Sequence, residues 1–289
     1  MMKVLVTGAN GQLGMALRQE SRENNAFDFL FTDLEDLDIT DYHAVEKTIT
    51  EWGAGVIVNA ASYNAVDRAE DDPMDALRIN GKAVQGLAGL ARKHNCSLVH
   101  VSTDYVFDGR KGSAYTELDE PHPRSKYAHS KMIGEQALHT AAPNAALIRT
   151  SWLYSEFGHN FVKTIRKLAA ERDELKVVND QFGTPTYAGD LAKAILKVIP
   201  GICNFGEVRT YHYSNAGLTN WAEFAEAIVV YSRLKCRIIP VSTKEYGLSK
   251  AERPAYSLLD TSRIRKDFDL HIPEWRESLK ICINKLEKE

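Results

Sequence analysis

"KVLVTGANGQLG", residues 3–14, is the stretch on which the reading of the fold turns. A short apolar, β-branched run ends at Thr7. Glycines then stand at Gly8, Gly11 and Gly14, with Asn10 between the first two, and a helical pattern begins at once. A strand that reverses into a helix within so few residues needs backbone angles that side chains oppose, and glycine supplies them. The same glycines leave the backbone bare where a pyrophosphate would approach. The helix that follows offers unpaired N–H groups and the positive end of its dipole. The spacing differs by one residue from the G-x-G-x-x-G dinucleotide fingerprint.

Outward from this loop, strand-like and helix-like segments alternate. The strands are "KVLVT" (3–7), "FDFLFTD" (27–33), "VIVNAA" (56–61), "SLVHVST" (97–103) and "AALIRT" (145–150). Helical patterns run through "LGMALRQESRE", 41–52 and 74–94, and "SKYAHSKMIGE" (125–135) opens another. Such alternation predicts βαβ units and a Rossmann-type, doubly wound parallel sheet. After Thr150 the loops lengthen. Helices are expected at 160–172, 188–199, 220–234 and 274–288, and a strand at 237–241. Asn220 with Glu223 reads as a capping box, and Asp260 or Thr261 as the cap of a short helix. The expected division is an NAD(P)-binding domain over 1–151, rejoined by a segment near 176–204. A smaller mixed α/β substrate-binding domain would occupy most of 152–289.

Composition narrows the function. A net charge of −3 argues against a nucleic-acid binder, which is usually basic. Cys96, Cys203, Cys236 and Cys282 form no CxxC pair, so no zinc or thiol-redox motif is expected, and no metal site. Their scatter suits reduced thiols in a cytoplasm. The N-terminal stretch has no signal-peptide core, and no apolar run is long enough to span a membrane. Asp33 ends the second strand near the distance at which an acid reads the adenosine ribose, with Glu35 and Asp36 as competitors. A carboxylate there favours NADH over NADPH. Tyr127 and Lys131, four residues apart, share one helix face.

Three of these pieces together, "TGANGQLG", "STDYVF" (102–107) and Tyr127-x-x-x-Lys131, resemble the extended short-chain dehydrogenase/reductase family. Longer stretches narrow the likeness: "NAASYNAVDRAE" (59–70), "RTSWLY" (149–154), "DQFGTPTYAGDLA" (180–192) and "RPAYSLLDTSRI" (253–264) are similar to the dTDP-4-dehydrorhamnose reductases. The likeness covers essentially the whole chain, although Ala128 stands where that family commonly has glycine.

The resemblance implies an enzyme that uses NADH or NADPH to reduce the 4-keto group of dTDP-4-dehydro-L-rhamnose to dTDP-L-rhamnose, in nucleotide-sugar and cell-envelope polysaccharide biosynthesis. It maps a catalytic trio onto Thr103, Tyr127 and Lys131. Tyr127 would give the proton, and Lys131 would favour its phenolate and bind the nicotinamide ribose. It also implies that Gly11, Gln12 and Leu13 meet the pyrophosphate, Asp38 and Ile39 the adenine side, and Ala61, Ser62, Tyr63 and Asn64 the length of the cofactor. Asp104 and Trp152 match substrate contacts, and Arg253 would pair with the nucleotide diphosphate. A dTDP-linked deoxysugar and a second copy of the chain are the expected partners. Two alternatives stay open: a reductase, epimerase or dehydratase of another nucleotide sugar, and a non-catalytic regulatory subunit resembling that of methionine adenosyltransferase. "TDY" in place of a dehydratase-like "TDE" weighs against elimination.

Overall fold

The computed structural model describes residues 1–288 apart from 24, 25, 142 and 248. The first half runs Met2–Thr7 (β1), Gln12–Glu20 (α1), Phe27–Thr32 (β2), Tyr42–Trp52 (α2) and Val56–Asn59 (β3). Arg68–Asp71 (α3), Pro73–Leu77 (α4), Ala83–Lys93 (α5), Ser97–Thr103 (β4), Lys126–Ala141 (α6) and Ala145–Thr150 (β5) follow. The second half holds Leu153–Tyr154 (β6), Phe161–Glu171 (α7), Glu174–Val178 (β7), Phe182–Gly183 (β8), Thr186–Tyr187 (β9) and Ala188–Ile202 (α8). It ends with Val208–Tyr213 (β10), Thr219–Asn220 (β11), Trp221–Tyr231 (α9), Arg237–Val241 (β12), Thr243–Tyr246 (α10), Ser262–Phe268 (α11) and Trp275–Leu286 (α12).

Among the described residues six parallel strands form the central sheet, in the order β10-β5-β4-β3-β1-β2. The chain leaves β1 toward one edge for β2 and returns to the other side for β3. The switch point therefore lies between β1 and β3, where open α/β sheets hold their ligands at the carboxyl ends of the strands. Side chains alternate across the sheet. Val4, Val6, Val99 and Ile148 pack under α1 and α8 on one face, and Leu5, Ile57, Leu98 and Leu147 under α2 and α5 on the other. A second core gathers Tyr154, Ile165, Leu175, Phe224, Trp275 and Leu279 around α7, α9, α12 and the parallel pair β7–β12.

The structure differs from the sequence reading in several elements, the short pieces β6, β8, β9, β11, α3 and α10 among them. β10 was not expected, because it alternates polar Thr210 and His212 with Tyr211 and Tyr213, all four buried, and offers no aliphatic run. β7 was not expected either. The helix expected over 74–94 opens into a π-helical turn at Arg78–Lys82, which turns Asn80 inward. Asn220 caps α9 by accepting from the Glu223 amide at 3.0 Å, but the Glu223 carboxylate accepts from Thr219 instead. Both halves of a capping box meet at Ser242 and Glu245. At α11 Thr261 takes the N-cap position without a side-chain bond, and the carboxylate of Asp260 before it accepts from the Ser262 amide.

Candidate active site

The glycine loop sits at the switch point. Gly8 has φ of +71°, and a Cβ there would stand 2.5 Å from the Ala61 amide nitrogen, at the end of β3. Only a bare backbone lets the first and third strands approach so closely. Gly14 packs its Cα face onto the Gly8 carbonyl and Ala9. Gly11 is the N-cap of α1, so the first amides of the helix lack intrahelical acceptors and face the loop. These features fit a dinucleotide: a cradle that any Cβ would fill, closed by a helix N-terminus.

The other cofactor candidates surround this cradle in different ways. The Asp33 carboxylate accepts from the Asn10 amide at 2.7 Å and the Leu34 amide at 2.8 Å, so it braces the loop. Leu13 and Ile39 point into the core. Asp38 folds onto the Thr40 amide and hydroxyl, both at 2.8 Å. Gln12 reaches across the molecule: its Oε1 accepts from Ser155 at 3.0 Å and Asn160 at 2.9 Å. Ala61, Ser62, Tyr63 and Asn64 follow β3 as a loop pinned by Asn80. The Asn80 Oδ1 accepts from the Tyr63 amide, and its Nδ2 donates to the Tyr63 carbonyl and to Ser130. Asn80 was not singled out in the sequence; an Asn-Gly pair inside a helical run was the available signal. Its π-helical turn fits against α6 because Gly134 has no side chain there.

At the carboxyl end of β4 the proposed chemistry gathers. Thr103 donates to Asp104 at 3.1 Å and accepts from the Tyr105 amide. The Tyr127 hydroxyl lies within hydrogen-bonding reach of Thr103 and donates to Asn64 Oδ1 at 3.4 Å. Burial pushes the Tyr127 phenol well above its ordinary value, and the Thr103 contact only partly offsets that. Lys131, one turn further along α6 and 2% exposed, donates to the Val101 carbonyl at 2.8 Å. Burial pulls it down to about 8, against the attraction of Glu135. The Lys131 ammonium is turned to the strand, and Tyr127 keeps its proton. Asp104 is raised by burial to about 7, with hydrogen bonds from Ser257 and Thr103 opposing.

Trp152 and Arg253 close the far side. Trp152 has φ of +47°, unusual for a bulky residue, and stacks on Trp221 at 3.8 Å. Its ring and the Ser257 hydroxyl flank Gly183. Arg253 is held by Asp67 at 2.8 Å and by Ser249, beside Tyr105. Its charge is matched before any phosphate arrives. Trp221 and Ser257 were also absent from the sequence-derived site.

A doubly wound sheet, a glycine cradle at its switch point and a Thr/Tyr/Lys group on β4 and α6 define an oxidoreductase of the extended short-chain dehydrogenase/reductase class. Residues 2–288 match the family described as RmlD substrate binding domain. The chain is 39% identical to a dTDP-4-dehydrorhamnose reductase from Aggregatibacter actinomycetemcomitans, over 97% of this chain and 98% of that one. It is similar to a crystal structure of a dTDP-4-dehydrorhamnose reductase from Clostridium acetobutylicum, with a TM-score of 0.93 and 38% identity, covering 99% of this chain and 100% of that one. A dTDP-4-dehydrorhamnose reductase from Bacillus anthracis, solved in complex with NADP, gives a TM-score of 0.91 at 38% identity, with the same coverage of both chains. The chain belongs to the dTDP-4-dehydrorhamnose reductase family.

Proposed function

We propose that this protein reduces the 4-keto group of dTDP-4-dehydro-L-rhamnose, giving dTDP-L-rhamnose, with NADH or NADPH as reductant. A bound reduced nicotinamide supplies the hydride that adds to the carbonyl carbon. Tyr127 supplies the proton that the carbonyl oxygen acquires, and Thr103 holds that oxygen. The observation that carries this reading is the buried, protonated Tyr127 beside Thr103, at the carboxyl end of the strand next to β3. A phenol that resists ionisation is a ready proton donor only to an oxygen gaining negative charge. Lys131 orients the cofactor ribose and offsets the phenolate left behind. Asp104 and Trp152 bind the deoxysugar, Arg253 lies toward the nucleotide diphosphate, and Gly8, Gly11 and Gly14 admit the pyrophosphate. Residues 1–151 bind the dinucleotide and most of 152–289 the sugar nucleotide.

Retention of the whole Thr/Tyr/Lys group favours turnover over a regulatory role. No described helix is long and apolar enough to cross a membrane, and all four cysteines are free, which suits action in the cytoplasm. A homodimer is part of the same reading, and sedimentation velocity measures it. The function is tested by following oxidation of NADH and NADPH with the keto sugar, with dTDP-L-rhamnose identified as product. Absence of oxidation with either dinucleotide, while both bind, overturns the reading.

A further inference from the structure

Behind Lys131 lies a buried polar group that the reaction does not use directly. Glu135 follows Lys131 by one turn of α6, on the same inward face. Its Oε1 accepts from Ser102 at 2.5 Å and its Oε2 from Arg149 Nη2 at 2.7 Å, while Arg149 Nε spans both oxygens at 3.1 and 3.2 Å. Arg149 also lies over the Phe107 ring, and its Nη1 donates to His212 Nε2 at 3.4 Å. That fixes the His212 tautomer, because Nδ1 is then the donor to the Tyr115 carbonyl at 3.1 Å. The register explains the assembly: Ser102 pairs with Arg149 and Arg149 with His212, so β4, β5 and β10 present one row of polar side chains beneath α6.

A buried ion pair is weak evidence for stability, since an apolar pair of equal volume often serves as well. This one has a feature that stability does not require. Both Glu135 oxygens are occupied, so the carboxylate attracts the Lys131 ammonium through space without capturing it, and the amine stays on the Val101 carbonyl. We propose that Glu135, clamped by Arg149 and Ser102, is a positioning residue for Lys131: it keeps the buried amine charged while leaving it free of a direct ion pair. The inference rests on the reading of Lys131 as part of the catalytic group.

The other groups around Lys131 do not supply this charge. Tyr127, on its own helix, is protonated. His100 on β4 is kept neutral by burial and by Lys131, and its Nδ1 accepts from Asn59. The π-helical turn presents uncharged Asn80, with Arg78 and Lys82 at the surface. Arg149 and His212 stand behind Glu135, and burial with Arg149 holds His212 down at about 3, neutral.

The test is a direct titration of Lys131 in full-length, cofactor-free protein labelled with [ε-13C]lysine, its signal assigned by its loss in Lys131→Met. Wild type should titrate near 8. Glu135→Gln removes the attraction and leaves the Arg149 charge, so Lys131 should titrate about one to two units lower. Glu135→Gln/Arg149→Met keeps the site neutral and filled; Lys131 should fall between the other two, and this variant serves if the single one does not fold. In parallel, kcat/KM for sugar reduction should drop about tenfold at pH 8 in Glu135→Gln and change little at pH 6, because the ammonium form is lost as pH rises. Identical Lys131 titration in all three proteins, with only stability reduced, overturns the proposal. The titration is independent of turnover, so a protein inactive toward the sugar leaves it readable.

Discussion

Tyr127 and Asp104 show, residue by residue, how burial sets the chemistry. Tyr127→Phe removes one hydroxyl and almost no volume. Turnover of the keto sugar should fall by roughly 10²–10⁴-fold while dinucleotide affinity, read by fluorescence titration, stays near wild type. Asp104 carries a stability signature. Its carboxyl is raised to about 7, so the folded protein keeps a proton that the unfolded chain gives up near pH 4. Its stabilising contribution is complete below that pH and is lost as pH climbs through 7. The lost amount is on the order of 4 kcal/mol. Asp104→Asn should therefore flatten the fall in stability between about pH 4 and 7, measured by urea unfolding. A slope equal to wild type would place the effect elsewhere. Both positions were legible in the sequence as family matches, Tyr127 also from its spacing with Lys131. Their protonation states were not legible, because these depend on burial, which arises only when the 103–105 stretch, α6 and the segment at Ser257 come together.

Elements were legible where apolar periodicity was strong. The five strands from β1 to β5 could be read because apolar residues dominate them, Val, Leu and Ile in most and Phe in β2. Two of the failures share a physical cause: β10 and the π-helical turn bring polar residues inward, His212 toward Arg149 and Asn80 toward Tyr63 and Ser130, so hydrophobic patterning is weak there. The fit of α6 against that turn gives a prediction. A Cβ at Gly134 would collide with the Asn80 carbonyl oxygen. Gly134→Ala should cost about 1–3 kcal/mol by forcing the helices apart, seen as a lower melting temperature. It should also weaken dinucleotide binding, since Asn80 holds the loop at Tyr63. A variant as stable as wild type would mean that the turn yields without strain.

Across the whole molecule, Gln12 and Trp152 bind the two cores together. Gln12 ties the glycine loop to Ser155 and Asn160, and Trp152 leans on Trp221 at the start of α9. Long-range ties of this kind have no local signature, which is why Trp221 escaped the sequence reading although Trp152 did not. Trp152→Ala should raise KM for the nucleotide sugar and leave cofactor affinity unchanged. If melting temperature and cofactor affinity fall together instead, the indole serves the core rather than the sugar.

The position of β10 at the sheet edge also bears on how the chain is made. β5 is complete well before β10 leaves the ribosome, and until then its outer backbone groups are an open template for any passing strand. Arg149 waits as well, because one of its partners, His212, arrives on that last strand. The interval between synthesis of residues 150 and 213 is thus when the chain is most exposed to mispairing, and when a chaperone that shields strand edges would matter most.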